Sequence, residues 1–303
     1  MLALFGVDDP YREDGLSIFD ATQPISCHSH NDYLRVRPLY TAIEAGCTGV
    51  EADVWLDHGD LLVGHTRASL SNDHTLETMY LRPLLEILNQ RNEGLEDSDI
   101  NIASRNGIFK SDPAQSLILF IDFKFDGEAL WPVLHAQLDP LRRRQYLTFF
   151  NGSEVTQGPV TVVVSGNAFF SDVVSNATHR DMFFDAPLNL MGSKTNHAGA
   201  TINQLADEPL KYPTNATVYS PANSYYASVS FMESVGYPWH SRLSHTQTEL
   251  IRDQIRGAHA RGLKVRYWGV PTWPLGVRNY LWRVLVREGA DVLNVDDVEA
   301  VMH

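Results

Sequence analysis

No apolar run in this chain approaches the roughly 20 residues that a bilayer-spanning helix needs, so no transmembrane segment is expected. Basic residues are scarce: 24 Lys and Arg stand against 37 Asp and Glu, a net charge of −13. Such a chain gains no counterion-release drive from nucleic acid, and a nucleic-acid partner is not expected. Anionic lipid surfaces would also repel it. A phosphate-bearing substrate therefore needs a bound cation or local Lys and Arg. Cysteine occurs only at Cys27 and Cys47, and the two read as buried thiols rather than as a pair. Met1–Asp20 lacks a basic region followed by an apolar core and does not read as a signal peptide. Three Asn-x-Ser/Thr triplets, at Asn151, Asn176 and Asn215, lean instead toward a secreted or endomembrane-lumen protein.

What is present is a rhythm. Short β-branched runs recur at Ile25–His30, Gly49–Trp55, Leu117–Lys124, Val160–Ser165, Met182–Asp185, Thr217–Ser220, Lys264–Gly269 and Asp291–Val295. Segments with helical spacing fall between them: Pro38–Ala45, Leu76–Asn89, Glu128–Leu138, His245–Arg261 and Leu275–Glu288. Thr246 and Glu249 read as a capping box. Gln90–Gln115 reads as a long polar loop. Eight strands alternating with helices predict a single-domain (β/α)8 TIM barrel over residues 24–303, preceded by an extension over 1–23.

Strand alternation then places the chemistry. Side chains two residues apart share a face. Glu51 and Asp53 thus point one way, and Val50, Ala52 and Val54 the other. The apolar set suits the helix-covered outside of a barrel, so the carboxylates face inward. His28 and His30 pair in the same manner, as do Asp122 and Lys124. Such inward faces meet at the C-terminal mouth of a barrel. Three carboxylates crowded there repel one another unless a cation lies between them. Hard oxygen donors suit Mg²⁺, with Ca²⁺ as the alternative, and Glu51, Asp53 and Asp122 are the expected ligands. Lys124 would neutralise charge or hold a substrate phosphate. His28 alone reads as a packed histidine and Asp32 as a loop residue. Asp57–Asp60, with Gly59, reads as a hairpin turn that returns the chain to His65.

The order His, Glu-x-Asp, His, Asp-x-Lys resembles the glycerophosphodiester phosphodiesterase and phosphatidylinositol phospholipase C-like superfamily of TIM barrels. His30-Asn-Asp-Tyr33, Gly46-Cys-Thr-Gly-Val-Glu-Ala-Asp-Val-Trp-Leu56, Ile121-Asp-Phe-Lys124 and Phe183-Phe-Asp-Ala-Pro-Leu188 are similar to the fungal altered inheritance of mitochondria protein 6 family. The resemblance implies a metal-dependent phosphodiesterase acting on lipid-derived or small phosphodiesters. Glu51, Asp53 and Asp122 would bind the metal, and His30 and His65 would serve as acid and base. The substrate's own hydroxyl is then a candidate nucleophile, giving a cyclic phosphate. Likeness to sphingomyelinase D toxins adds Tyr267, Trp268 and Asn294 as substrate-binding residues. Trp268, Trp273 and Tyr267 could form an aromatic wall for a choline-like head group. Two features depart from the superfamily. Its His-Arg-Gly is here His30-Asn31-Asp32, and its Pro-Glu-Asn-Thr is here Pro38-Leu39-Tyr40-Thr41. The alternative is a non-catalytic binding protein that keeps the barrel and the metal site.

Overall fold

The computed structural model describes residues 20–94, 105–193 and 211–301. The expected extension over 1–23 lies almost wholly outside the described residues, as does part of the 90–115 loop. In chain order the first elements are β1 (Ile25–Ser29), α1 (Tyr40–Glu44), β2 (Cys47–Asp57), β3 (Asp60–Val63), α2 (Arg82–Arg91), β4 (Leu117–Phe123), α3 (Gly127–Gln137) and α4 (Asp139–Arg143). A small ribbon follows, β5 (Phe149–Phe150) with β6 (Val155–Thr156), then β7 (Val160–Gly166), α5 (Phe170–Val173) and β8 (Met182–Pro187). The rest is β9 (Ser224–Ser230), α6 (Phe231–Ser234), α7 (His245–His259), β10 (Lys264–Trp268), α8 (Leu275–Glu288) and β11 (Val292–Val295).

Eight parallel strands, β1, β2, β4 and β7 to β11, close into a barrel, with β11 pairing back to β1 and β1 to β2. The expected (β/α)8 architecture is therefore present. β3 is the antiparallel hairpin arm of β2, paired from Val54–Val63 to Asp57–Asp60. The alternation on β2 falls as the sequence requires. Val50, Ala52 and Val54 are fully buried in the outer core with Ile43, Leu84 and Leu130. A second, smaller cluster of Ile118, Phe120, Val163, Tyr226 and Val292 fills the barrel interior below the mouth. Burying each such side chain contributes about 1.5–3 kcal/mol.

Two expectations about the secondary structure need correction. Thr217–Ser220 is not a strand: Ala216–Val218 forms a 3₁₀ turn capped by Asn215 Oδ1, and the sixth barrel strand is β9. The capping box of α7 is Ser244 with Gln247, two residues upstream of Thr246 and Glu249. The helix expected over Leu76–Asn89 is present and opens with a π-helical turn, Glu77–Leu81, that runs into α2.

Cys27 and Cys47 are bonded, not free thiols. Twenty residues of chain separate them, but β1 and β2 are parallel neighbours, and this brings the two Cα atoms to 4.7 Å. Closing a loop of this length stabilises by about 3 kcal/mol on chain-entropy grounds. The Cys27→Ser/Cys47→Ser protein is accordingly expected to unfold at lower urea, by about that free energy, and a reducing agent should leave its midpoint unmoved. An unchanged midpoint relative to the parent would contradict this. The three Asn-x-Ser/Thr triplets are exposed, on segments leading into the N-terminal ends of β7, β8 and β9.

Candidate active site

Glu51 and Asp53 lie on the inward face of β2, roughly 7 Å apart along the strand. The β2–β4 register sets Asp53 level with Asp122. Lys124 bridges the two: its Nζ is 2.9 Å from Asp53 Oδ2 and 2.5 Å from Asp122 Oδ2. Burial raises the pKa of Asp122 to about 6; Lys124 opposes this and the charges of Glu51 and Asp53 add to it. Burial and Glu51 likewise raise Asp53. Burial alone would lower Lys124, but Asp122 and Asp53 outweigh it and raise its pKa, so it stays charged. Gly166, at the end of β7, is required here. It has a φ of +68°, and a Cβ on it would meet Asp122 Oδ1 at 2.5 Å.

The two expected catalytic histidines flank the carboxylates of β2. His30 follows β1 and places Nδ1 at 2.7 Å from Asp296 Oδ1. A carboxylate only accepts, so this nitrogen donates. Its Nε2 stands 3.8 Å from Glu51 Oε1. Burial would lower the pKa of His30, but the Asp296 hydrogen bond and the charge of Glu51 prevail and raise it. His65, placed by the β2–β3 hairpin, sets Nδ1 at 3.3 Å from Asp53 Oδ2. The Tyr33 hydroxyl lies 2.6 Å from the same oxygen and 2.7 Å from Asn31 Oδ1. Each histidine thus has one ring nitrogen beside an aspartate.

Below this layer lies an ion cluster that the sequence reading missed. Arg266, on β10, is buried, with Nη2 at 3.3 Å from Glu51 Oε2 and its guanidinium 4.2 Å from the centroid of Phe120. His28 Nε2 lies 3.2 Å from the same Glu51 oxygen. His28 is therefore more than packing: it fixes Glu51. A Cβ on Gly49 would meet its Nδ1 at 2.5 Å. Burial and the neighbouring Arg266 hold His28 down to about 4, so it is neutral at pH 7. Burial opposes ionisation of Glu51, but Arg266 and His28 pull its pKa down to about 2.

Asp185, on β8, belongs to the same cluster. Its Oδ1 is buried without a hydrogen-bond partner. Burial lifts its pKa to about 6; Arg266 opposes this, and Glu51 and Asp122 add to it. A carboxyl raised in the folded state contributes stability below its ordinary pKa, and that stability is lost as pH rises through about 6. Asp185→Asn is therefore expected to gain on the parent above pH 6, on the order of 2–3 kcal/mol, and to lose the advantage near pH 4. Urea unfolding at the two pH values, with chelator present, checks this. Equal effects at both would contradict it.

The substrate-binding candidates divide. Lys124 is in the site. Trp268 ends β10 at the mouth and is partly exposed. Asn294 pairs in register with His28 on the inner wall, with its Oδ1 buried and unpartnered. Tyr267 is not brought to the site. It points outward, where its hydroxyl donates to Gln254 Oε1 on α7 and its ring meets Phe231. Alternation demands this, because Tyr267 and Trp268 are adjacent on one strand. Nor does Arg35 replace the arginine absent after His30, since its guanidinium is taken by the carbonyls of His30, Val295 and Asp296.

Among the described residues, no three His, Cys, Asp or Glu side chains stand as arranged around a common ion. Lys124 fills the cationic place between Asp53 and Asp122. The donors nonetheless suit a hard divalent ion. Three carboxylates share one wall, and Asp53 Oδ1 is buried with no partner.

Residues 16–185 match the AIM6-like phosphodiesterase domain. The chain is 39% identical over 287 residues to an altered inheritance of mitochondria protein 6 homolog of Arthroderma benhamiae, covering 91% of this chain and 82% of that one. Altered inheritance of mitochondria protein 6 of Saccharomyces cerevisiae is 34% identical over 291 residues, 91% of this chain and 69% of that one. The Eremothecium gossypii protein of the same name is 32% identical over 280 residues, 90% and 68% of the two chains.

Proposed function

The chain belongs to the AIM6-like phosphodiesterase family, and from that premise we propose that it is a metal-dependent phosphoric diester hydrolase or lyase acting on lipid-derived or small phosphodiesters. The observation that carries this reading is the placing of His30 beside Glu51 and of His65 beside Asp53, at one end of the barrel. A diester spanning that width would meet one imidazole on the attacking side and one on the leaving side. One takes the proton of the attacking hydroxyl while the other gives a proton to the departing alkoxide. Bound Mg²⁺ or Ca²⁺ would polarise a phosphoryl oxygen and offset the carboxylates' repulsion of an anionic substrate.

The chain's own residues do the positioning. The aspartates Asp296 and Asp53 orient His30 and His65 through Nδ1, which turns Nε2 of His30 toward Glu51 and keeps Nε2 of His65 out of the Asp53 contact. Lys124 sits where it can pass from carboxylate to phosphate. Arg266 and His28 hold Glu51 ionised, as a ligand must be.

Phosphorus NMR on a panel of glycerophosphodiesters and lysophospholipids tests the reading, and it separates cyclic from open products. Turnover is expected with Mg²⁺, to be lost with chelator and restored on adding the ion back. No turnover of any diester with Mg²⁺ or Ca²⁺ would leave the binding-protein alternative standing.

A further inference from the structure

The exposed large apolar side chains are unevenly distributed. Among the described residues there are thirteen, and nine lie at the C-terminal ends of barrel strands or on the segments that follow them, around the mouth. Leu34 and Val36 follow β1, and Phe125 follows β4. The segments after β9 and β10 carry two tryptophans and a leucine: Trp239 is 79% exposed, Trp273 74% and Leu275 50%. β9 and β10 are neighbours in the barrel, so these loops stand side by side. Water gains nothing from such groups, and a rim this apolar calls for a partner.

Charge identifies the partner. The segments Val235–Leu243 and Trp268–Val277 contain no Asp or Glu, in a chain whose net charge is −13. Arg242 is their only Lys or Arg. Two adjacent loops are thus neutral to cationic while the rest of the molecule is acidic. That complements a zwitterionic headgroup layer, where Arg242 would meet phosphate and tryptophan rings sit at the level of the glycerol backbone. An anionic bilayer would repel the remainder of the chain.

We propose that the mouth face docks on zwitterionic phospholipid bilayers through the β9 and β10 loops, so that the site takes its diester from the membrane plane. The substrate part of this statement rests on the function proposed above; the docking itself does not.

The test uses the full chain and vesicles of phosphatidylcholine, by co-sedimentation and by tryptophan emission. The parent is expected to bind with a blue shift, and less well when phosphatidylserine is mixed in. Trp239→Ser and Leu275→Ser, both solvent-exposed changes, should each weaken binding on the order of tenfold, and together on the order of a hundredfold. Turnover of a soluble short-chain diester should stay unchanged in both. Rim-dependent vesicle binding without any diester turnover would uphold docking and defeat the proposed function. Three results would overturn docking: no binding of the parent to phosphatidylcholine, binding indifferent to both substitutions, or substitutions that change only self-association.

Discussion

His30→Ala and His65→Ala are each expected to lower phosphodiester turnover by on the order of 10²–10⁴, with the fold intact. Neither side chain carries the core. His65 is half-exposed, and His30 sits at the mouth between Asp296 and Glu51. The two losses should be far from additive in the double variant, because acid and base serve one transition state. Unfolding midpoints within experimental scatter of the parent would show that the loss is chemical. Retention of full turnover by either variant would remove that histidine from the mechanism. If both retained it, nothing would remain of the acid–base reading.

Arg266→Met is expected to cost about 3–5 kcal/mol of stability at pH 7, because it strands a buried carboxylate. Arg266 and Glu51 are both buried, and the pair is in contact at 3.3 Å. The sign with pH follows from linkage. Glu51 titrates at about 2 in the fold against an ordinary 4.5, so its stabilisation is present above 4.5 and lost as pH falls toward 2. The gap between Arg266→Met and the parent should therefore narrow in acid, where Glu51 can take up a proton. Adding Glu51→Gln to Arg266→Met should recover most of the loss at pH 7. Urea unfolding of the four proteins of this cycle measures it. A loss under about 1 kcal/mol at pH 7, or no recovery in the double variant, would mean that the cluster does not hold Glu51.

The legible parts of this site were those that depend on one strand at a time. Val50-Glu-Ala-Asp-Val54 declares its two faces by alternation, and Ile121-Asp-Phe-Lys124 does the same. Arg266 was equally available to that rule. In Lys264-Val-Arg-Tyr-Trp268 the partner of Trp268 on its own face is Arg266, whereas resemblance favoured Tyr267. Asp185 lay inside a motif already singled out, Phe183–Leu188, but one carboxylate on a strand carries no sign of what stands across the barrel.

The sixth strand was hidden for a physical reason. Ser224-Tyr-Tyr-Ala-Ser-Val-Ser230 lines the barrel with Tyr226 and Ser228, so it lacks the adjacent β-branched pair that Thr217-Val218 presents. The disulfide depends on parallel pairing of β1 with β2, which residue spacing cannot show. The helices were readable because their apolar stripes are long, and α8 runs over the expected Leu275–Glu288.

The most direct test of the central claim is a crystal soaked with Mn²⁺ as a stand-in for Mg²⁺, measured at the manganese absorption edge. One anomalous peak is predicted among Glu51, Asp53 and Asp122, with the Lys124 ammonium moved off its bridge between the two aspartates. Well-ordered density with Lys124 still joining Asp53 to Asp122, and no anomalous peak beside them, would contradict a metal-assisted phosphodiesterase at this site.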